Sequence, residues 1–247
     1  MNHSSLSDIS QALSNDILLI RETGHFTQMI NNSFSKKIDE IVSPIFLQIK
    51  QDPFLLELSS NKLPRSKFQL YLKMDRFYLL AYCAALLRLS EFASLPNDRL
   101  SLKEFSDSCK MEPTFKIETE NNDDFLGSAL AQEYVDFIDQ YTIDQAHYRY
   151  GLAAIFPCFD VYYRVGKELS PKSQNSEYAS WFDIYKSPSF AEQTRRMTAI
   201  LEKAYYESDT RQKELMEQII RKGSLHERNF WHKAYHGLPI ERTLCLR

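Results

Sequence analysis

The chain has 247 residues, of which 43% are hydrophobic and 26% charged, and its formal net charge is −3. This composition is typical of a globular protein. Acidic and basic residues alternate without a basic patch, so we expect no nucleic-acid partner.

The cysteines and the apolar runs exclude further classes of protein. Cysteines stand at positions 83, 109, 158 and 245 without a C-x-x-C pair, so neither a zinc site nor a disulfide framework is indicated. The longest nearly apolar run, Tyr78 to Leu87, has ten residues, whereas a membrane-spanning helix needs about 20. The N-terminus lacks the pattern of a signal peptide. We therefore expect a cytoplasmic protein with no membrane partner.

Three segments follow from the composition along the chain. Residues 1–33 are rich in Ser and Asn and read as an N-terminal extension, partly disordered or helical. A helical domain is predicted over 34–236, followed by a C-terminal tail over 237–247. Its first helix begins at Phe34, where apolar residues recur every three or four positions, and Asp52-Pro53 ends or bends it.

The next elements are a long helix and two weaker segments. Leu63-Pro64-Arg65-Ser66 opens a helical pattern that lasts to about Phe92. Leu95-Pro96-Asn97-Asp98 predicts a loop. The stretch 109–124 is polar and acidic and is the internal segment with the weakest pattern of order.

The second half of the chain is also predicted to be helical. Helical patterning covers 125–148 and continues through 151–168, and a loop follows at 170–173. Ser187-Pro188 separates a short helix, 176–186, from a longer one, and Gly223 is expected to weaken or bend the last helix, 210–235. No segment alternates with the period of a strand, so the sequence predicts an all-α, single-domain helical bundle.

Cys158 lies in the apolar stretch GLAAIFPCFDVYYRVG, which predicts a central, buried helix. A buried cysteine can simply pack as a small hydrophobe, or it can be a nucleophile with partners elsewhere in the chain. Pro157 either kinks a continuing helix or begins a new one, and the second case puts Cys158 in a first turn that favours the thiolate. Asp160 points to another side of the helix and is not its local base.

Other segments place polar groups on apolar faces. Asp75 and Tyr78 are three residues apart and share a helix face, as do Glu227 and Phe230. Asp75 is either a surface carboxylate paired with a cation or a buried group that needs a partner. Glu227 is either a surface residue or a functional acid above Phe230. Tyr185 lies at ordinary core spacing, although a buried tyrosine hydroxyl also needs a partner.

Together these segments resemble the TenA/thiaminase II family. The resemblance begins with QDPFLLELSSNKLPRSKFQLYLKMDRFYL and continues through EYVDFI, FPCFDVYYRVG, YASWFDIYKSPSF and HERNFW, in that order, over about residues 36–236. It implies the all-helical haem-oxygenase-like fold, a homo-oligomer (dimer or tetramer), and no metal or organic cofactor.

The resemblance also implies roles for single residues. Cys158 would be the nucleophile, Tyr78 would hydrogen-bond it and raise its reactivity, and Glu227 would be the proton donor. Five further residues would bind the substrate: Asp75, Tyr134, Tyr162, Tyr185 and Phe230.

The implied activity is the hydrolysis of aminopyrimidines in thiamin salvage. The reactions would be deamination of 4-amino-5-aminomethyl-2-methylpyrimidine to the hydroxymethyl form, and cleavage of thiamin. The residue types suit this chemistry, because aromatic rings stack on a flat heterocycle and a carboxylate such as Asp75 accepts charge-assisted hydrogen bonds from the aminopyrimidine.

The sequence departs from the family pattern at several places, and these departures bear on substrate choice. Asp52 stands where His is usual before Pro-Phe, and 96–124 does not match the usual helix.

Two other functions stay open. An iron oxidase of the same fold would have Asp144, His147, His232 and His236 as its candidate ligands. A non-catalytic, regulatory protein would bind the pyrimidine without turnover.

Overall fold

The computed structural model describes residues 33–110, 123–171 and 176–237. The chain divides into two compact units, Met1–Glu40 and Ile41–Arg247. Of the first unit, residues 33–40 are described, and they are helical. The second unit contains all the predicted site residues.

The described residues form helices joined by short connections, and none of these residues lies in a β-strand. An all-α structure is therefore confirmed. In chain order the helices are α1 (33–49), α2 (Pro53–Ser59), α3 (Arg65–Phe92), α4 (Pro96–Lys110), α5 (Asp123–Thr142), a 3-10 turn (Gln145–His147), α6 (Tyr148–Leu169), α7 (Ala179–Tyr185), α8 (Pro188–Tyr206) and α9 (Thr210–His236).

Side-chain caps explain where several helices begin. A carboxylate or hydroxyl placed just before a helix accepts hydrogen bonds from backbone N–H groups that have no partner within the helix. Asp52 caps α2 in this way by accepting from the backbone N–H of Phe54 at 2.9 Å. Ser187 caps α8, and Asp209 forms a capping box at the start of α9. The boundaries predicted at Asp52-Pro53 and Ser187-Pro188 are thus confirmed.

Two predicted connections differ in the structure. The loop expected at 95–98 is instead the start of α4, and Pro96 occupies the first turn of that helix, where a missing N–H costs nothing. The helix predicted to reach residue 148 ends at Thr142, and Asp144 caps the following turn by accepting from the N–H of Ala146 at 2.8 Å. The polar stretch predicted over 109–124 falls mostly outside the described residues.

Helix α6 is the central element of the second unit. It packs against α3, α5, α7, α8 and α9, and nearly all of its residues from Gly151 to Tyr162 are buried. Pro157 lies inside this continuous helix. The alternative in which a helix begins at Pro157 is therefore wrong, and Cys158 lies in mid-helix, away from the positive end of the helix dipole.

Gly223 allows α9 to approach α6 closely. Helix α9 runs without interruption through this position, so the expected weakening has not divided it. A Cβ added at Gly223 would lie 2.7 Å from Cγ of Pro157 and 3.4 Å from the carbonyl oxygen of Ala154. The absence of a side chain therefore sets the separation of the two helices that carry Cys158 and Glu227.

A second close approach places α7 beside the end of α6. A Cβ at Gly166 would lie 2.5 Å from the carbonyl carbon of Tyr185 and 2.7 Å from the backbone nitrogen of Lys186. Backbone atoms cannot move aside like the end of a flexible side chain. Gly166 thus fixes the position of Tyr185.

We also examined the described helices for membrane-spanning character. Among them, none combines the length and apolarity that crossing a bilayer would require.

The contact between Gly223 and Pro157 gives a stability prediction. Gly223→Ala would ordinarily stabilise a helix, because Ala has the better helix propensity by about 1 kcal/mol. Here we expect destabilisation of about 1–3 kcal/mol, since the added methyl group overpacks the interface. Urea unfolding measures the change. As a matched control, Pro157→Ala combined with Gly223→Ala should recover part of the loss, and a stabilised Gly223→Ala protein would contradict the packing role.

Candidate active site

Five of the eight predicted site residues line one cavity of about 220 Å³. The five residues are Asp75, Tyr78, Cys158, Tyr162 and Tyr185. They come from α3, α6 and α7, which are separate in sequence and are brought together by the packing of α6. The remaining walls come from α4 and α8.

Cys158 is half-buried in this cavity and faces two tyrosines of α3. Tyr78 and Tyr82 are four residues apart, so they lie on the same face of α3. The hydroxyl of Tyr82 donates to the carbonyl oxygen of Ile155 at 3.0 Å. Burial raises the pKa of Tyr82, and the nearby Cys158 raises it further. Tyr82 is therefore a neutral donor beside the sulfur.

The hydroxyl of Tyr78 is buried beside Cys158 and Tyr134. By distance and angle it has no hydrogen-bond partner among the described residues, although its contact with the Tyr134 hydroxyl lowers the pKa of Tyr134 against the effect of burial. The hydrogen bond to Cys158 that the resemblance implies stays a prediction. Burial raises the pKa of Tyr78 well above its usual value, and the adjacent Cys158 and Tyr134 raise it further. This hydroxyl is a neutral group in the cavity wall that can donate a hydrogen bond to a thiolate or a bound ligand.

Glu227 is buried behind the cavity wall rather than in it. The residue is 1% exposed, and the hydroxyl of Tyr134 donates to its Oε1 at 2.6 Å. Burial raises the pKa of Glu227 to about 8, and the hydrogen bond from Tyr134 acts in the opposite direction. The carboxyl is therefore mostly protonated at neutral pH, as a proton donor must be.

Tyr134 and Phe230 also lie in this second layer. Neither they nor Glu227 is among the residues that line the cavity. The ring centroid of Tyr78 is 4.7 Å from that of Tyr134 and 5.6 Å from that of Phe230. Tyr78 thus separates the cavity from the layer that holds the acid. The structure brings all eight predicted residues together, but in two layers.

Another part of the cavity wall is formed by tyrosines around Asp75. The hydroxyls of Tyr162 and Tyr71 are 3.1 Å apart, and the ring centroids of Tyr162 and Tyr185 are 4.6 Å apart. Burial raises the pKa of Tyr162 well above its usual value, and Tyr71 and Asp75 raise it further. A half-buried carboxylate beside flat, neutral rings suits a flat ligand that carries hydrogen-bond donors.

Sequence reasoning missed the residues of α4 and α8. Ser108 and Cys109 from α4, and Phe190 and Gln193 from α8, line the same cavity. A second cavity of about 370 Å³ shares Ser108 and Gln193 with it. Because helix α4 was not predicted, its contribution to the cavity wall could not be predicted either. Tyr82 was also missed, although its four-residue spacing from Tyr78 was a usable signal.

The ligands proposed for an iron oxidase do not form a cluster. Asp144 caps the 3-10 turn that contains His147, and the rings of His232 and His236 pack on each other with centroids 4.3 Å apart. Within 33–110, 123–171 and 176–237, no three His, Cys, Asp or Glu side chains are grouped as a metal site requires.

Comparisons with known proteins find relatives that match most of this chain. The chain is 26% identical over 209 residues to the thiamine biosynthesis multifunctional protein ThiED of Corynebacterium glutamicum, covering 81% of this chain and 27% of that protein. It is 26% identical to an aminopyrimidine aminohydrolase of Halalkalibacterium halodurans, with 82% of this chain and 96% of the relative covered.

The fold matches a solved structure described as a TenA homologue protein from P. horikoshii OT3. The TM-score is 0.67 at 24% identity, and the match covers 83% of this chain and 99% of the other. The model of the TENA/THI-4/PQQC family matches residues 114–237, which is half of the chain. The chain therefore belongs to the TENA/THI-4/PQQC family and has the helical haem-oxygenase-like fold of TenA proteins.

Proposed function

We propose that this protein is an aminopyrimidine aminohydrolase of the thiaminase II type, acting in thiamin salvage. One observation carries the proposal: a thiol, a carboxylate and neutral tyrosines face one small cavity, and a protonated acid lies one layer behind it. The relative from Halalkalibacterium halodurans bears the name of this activity.

The cavity suits a small aromatic ligand. Its volume of about 220 Å³ lies below the range of about 300–1,000 Å³ typical of sites for drug-sized molecules. Tyr162 and Tyr185 provide rings that pack on a pyrimidine, a contribution of about 1 kcal/mol per pair. Asp75 accepts hydrogen bonds from the exocyclic amine and a protonated ring nitrogen, which makes the ring carbons more electrophilic.

The reaction then follows from covalent catalysis. The Cys158 thiolate adds to an electron-poor ring carbon, and the C–N bond of the aminomethyl group breaks as Glu227 supplies a proton to the departing amine. Water adds to the exocyclic carbon with loss of a proton, and the C–S bond breaks to restore the thiolate. The net change is amine plus water to alcohol plus ammonia, with no change in oxidation state.

Tyr78 is the connection between the two layers in this proposal. Its hydroxyl is buried beside Cys158, and the Cys158 thiolate is a new acceptor that the reaction creates. Donation from Tyr78 stabilises the thiolate, which is the role that the family resemblance gives it. Tyr134 and Phe230 support the ring of Tyr78 from behind and act on the substrate through it.

The first prediction concerns the nucleophile. In the wild type, we expect release of ammonia and hydroxymethylpyrimidine from 4-amino-5-aminomethyl-2-methylpyrimidine, or hydroxymethylpyrimidine from thiamin. Cys158→Ser should lower kcat by about 10³-fold or more, because an alcohol is a far weaker nucleophile at neutral pH. Ammonia release and product chromatography measure the change, and circular dichroism confirms that the variant folds.

Cys109→Ser is the matched control for the thiol. Cys109 also lines the cavity, on the α4 side, so it tests whether another thiol is the nucleophile. We expect the Cys109→Ser protein to turn over the aminopyrimidine and the Cys158→Ser protein to show no turnover. The reverse pattern would transfer the role to Cys109. Tight binding of the aminopyrimidine without turnover in the wild type would replace the hydrolase with a binding or regulatory protein.

A second prediction concerns the pH dependence of Glu227. Only the protonated carboxyl donates, so kcat/KM, which reports the free protein, should fall as pH rises through about 8, the pKa of Glu227. Glu227→Gln cannot donate a proton, and we expect its kcat/KM to fall by about 10²-fold or more and to lose this descending limb. A pH profile of kcat/KM measures both effects.

The same pKa gives a stability signature that is independent of catalysis. Glu227 binds its proton more tightly in the folded than in the unfolded chain, so its burial costs stability progressively as pH rises from about 4.5 to about 8. Glu227→Gln removes this cost. We expect the variant to exceed the wild type in free energy of unfolding by more than about 1 kcal/mol at pH 8, and by less at pH 5. A constant difference would contradict a buried, neutral Glu227.

We propose further that the protein acts in the cytoplasm as a homo-oligomer. Leu80 and Leu87 on α3 are 70% and 37% exposed, and their spacing of two helical turns puts them on one face, where exposed apolar side chains favour association. Sedimentation should show a dimer or tetramer, and Leu80→Lys should shift it towards the monomer. Lys103→Ala, at an exposed position on α4, is the control. A wild type that sediments as a monomer would contradict the proposal.

A further inference from the structure

His226 packs face to face against the tyrosine that holds the proposed acid. The ring centroids of His226 and Tyr134 are 5.0 Å apart with an interplanar angle of 10°, and the centroid of Phe137 is 4.7 Å from that of His226. His226 is 7% exposed and directly precedes Glu227 on α9. The two aromatic partners belong to α5, so the histidine lies between the two helices.

The imidazole is neutral in this environment. Burial lowers the pKa of His226 to about 4, the nearby Lys222 and Lys233 lower it further, and Glu133 acts in the opposite direction. Lys233 is itself paired with Glu133 at 3.1 Å, and Lys222 lies over the ring of Phe137 at 5.3 Å. At any pH near neutrality His226 therefore packs as an uncharged ring.

Hydrogen bonding at Nε2 does not explain the position of the ring. This nitrogen is buried and has no partner among the described residues. A buried polar atom without a partner normally costs stability. Phenylalanine would fill a similar space without that cost. We therefore attribute the position of His226 to the packing of its flat ring against Tyr134.

We propose that His226 is a positioning residue for the general acid, acting through Tyr134. Its ring fixes the plane of Tyr134, and this keeps the Tyr134 hydroxyl donating to Oε1 of Glu227 at 2.6 Å. Oε1 is then occupied as an acceptor, and the proton of the neutral carboxyl is held on the other oxygen. The inference rests on the proposed function, because it assigns a purpose to the placement of Glu227.

The surroundings of Glu227 make this hydrogen bond measurable. Three buried tyrosines face the carboxyl: Tyr134 from α5, Tyr78 from α3 and Tyr162 from α6. Burial raises the pKa of all three phenols, so they are neutral in the working pH range. The Tyr134 hydrogen bond lowers the pKa of Glu227 relative to burial alone. Weakening it must therefore raise that pKa.

His226→Leu tests the proposal, because leucine fills the space without a flat ring. We expect kcat for the aminopyrimidine to fall about ten-fold, less than the about 10²-fold or more that loss of a general acid causes. KM should stay within about two-fold, since Asp75 and the cavity tyrosines are untouched. The descending limb of the pH profile of kcat/KM should move to higher pH, which a general loss of packing would not produce.

Two further variants separate positioning from packing. Tyr134→Phe should also move the descending limb of the pH profile to higher pH. The double variant, His226→Leu with Tyr134→Phe, should have a kcat no lower than that of Tyr134→Phe alone, because both changes remove the same interaction. His226→Phe should restore most of kcat. His232 lies on the same helix but packs on His236, so His232→Leu is the matched control. It should leave the descending limb of the pH profile unchanged.

Several outcomes would overturn the positioning role. The first is an unchanged descending limb of the pH profile in a folded His226→Leu protein. The second is a double variant in which the two losses of kcat add. The third is a His226→Phe protein whose kcat is as low as that of His226→Leu. If the wild type itself shows no turnover, the proposed function fails separately. The pKa of the Glu227 carboxyl, read by carbon NMR of glutamate-labelled protein, then still tests the link, and an unchanged value in His226→Leu would refute it.

Discussion

The contact of Pro157 with Gly223 is the constraint on which the rest of the site depends. It joins the two helices that carry the proposed nucleophile and acid: Cys158 follows the proline directly, and Glu227 lies one turn beyond the glycine. A side chain at position 223 would separate α6 from α9 and move both groups. A helix-disfavouring residue on each side of this interface is thus explained by close packing.

Burial of Glu227 is the main energetic cost of this arrangement, and it is also what makes the group useful. A carboxyl taken out of water is destabilised in its charged form, so it keeps its proton to about pH 8. The tyrosines around it add neutral hydroxyls rather than charges. Among the described residues, no cation contributes to the pKa of Glu227, and this region of low dielectric preserves an acid that water would ionise, while the half-buried Cys158 stays in contact with the cavity.

The sequence predicted those parts of the structure that depend on local patterns. Apolar spacing and proline positions located most helices, and the family resemblance identified eight residues that do come together. Helix α4 was missed because its sequence, PNDRLSLKEFSDSCK, is mostly polar and opens with a turn-like Pro-Asn-Asp. The two-layer arrangement, and the ring of His226 against Tyr134, depend on contacts between residues about 90 positions apart. No local pattern reports such contacts.

This difference has a consequence for substrate choice. The residues that would bind and attack the pyrimidine come from α3, α6 and α7, whose patterns follow the family. The opposite wall comes from α4 and α8, through Ser108, Cys109 and Gln193, and α4 belongs to the stretch that departs from the family pattern. The second cavity begins at this wall. In the proposed reaction, we therefore expect the pyrimidine to lie against α3, α6 and α7 and the group attached to it to face α4 and α8.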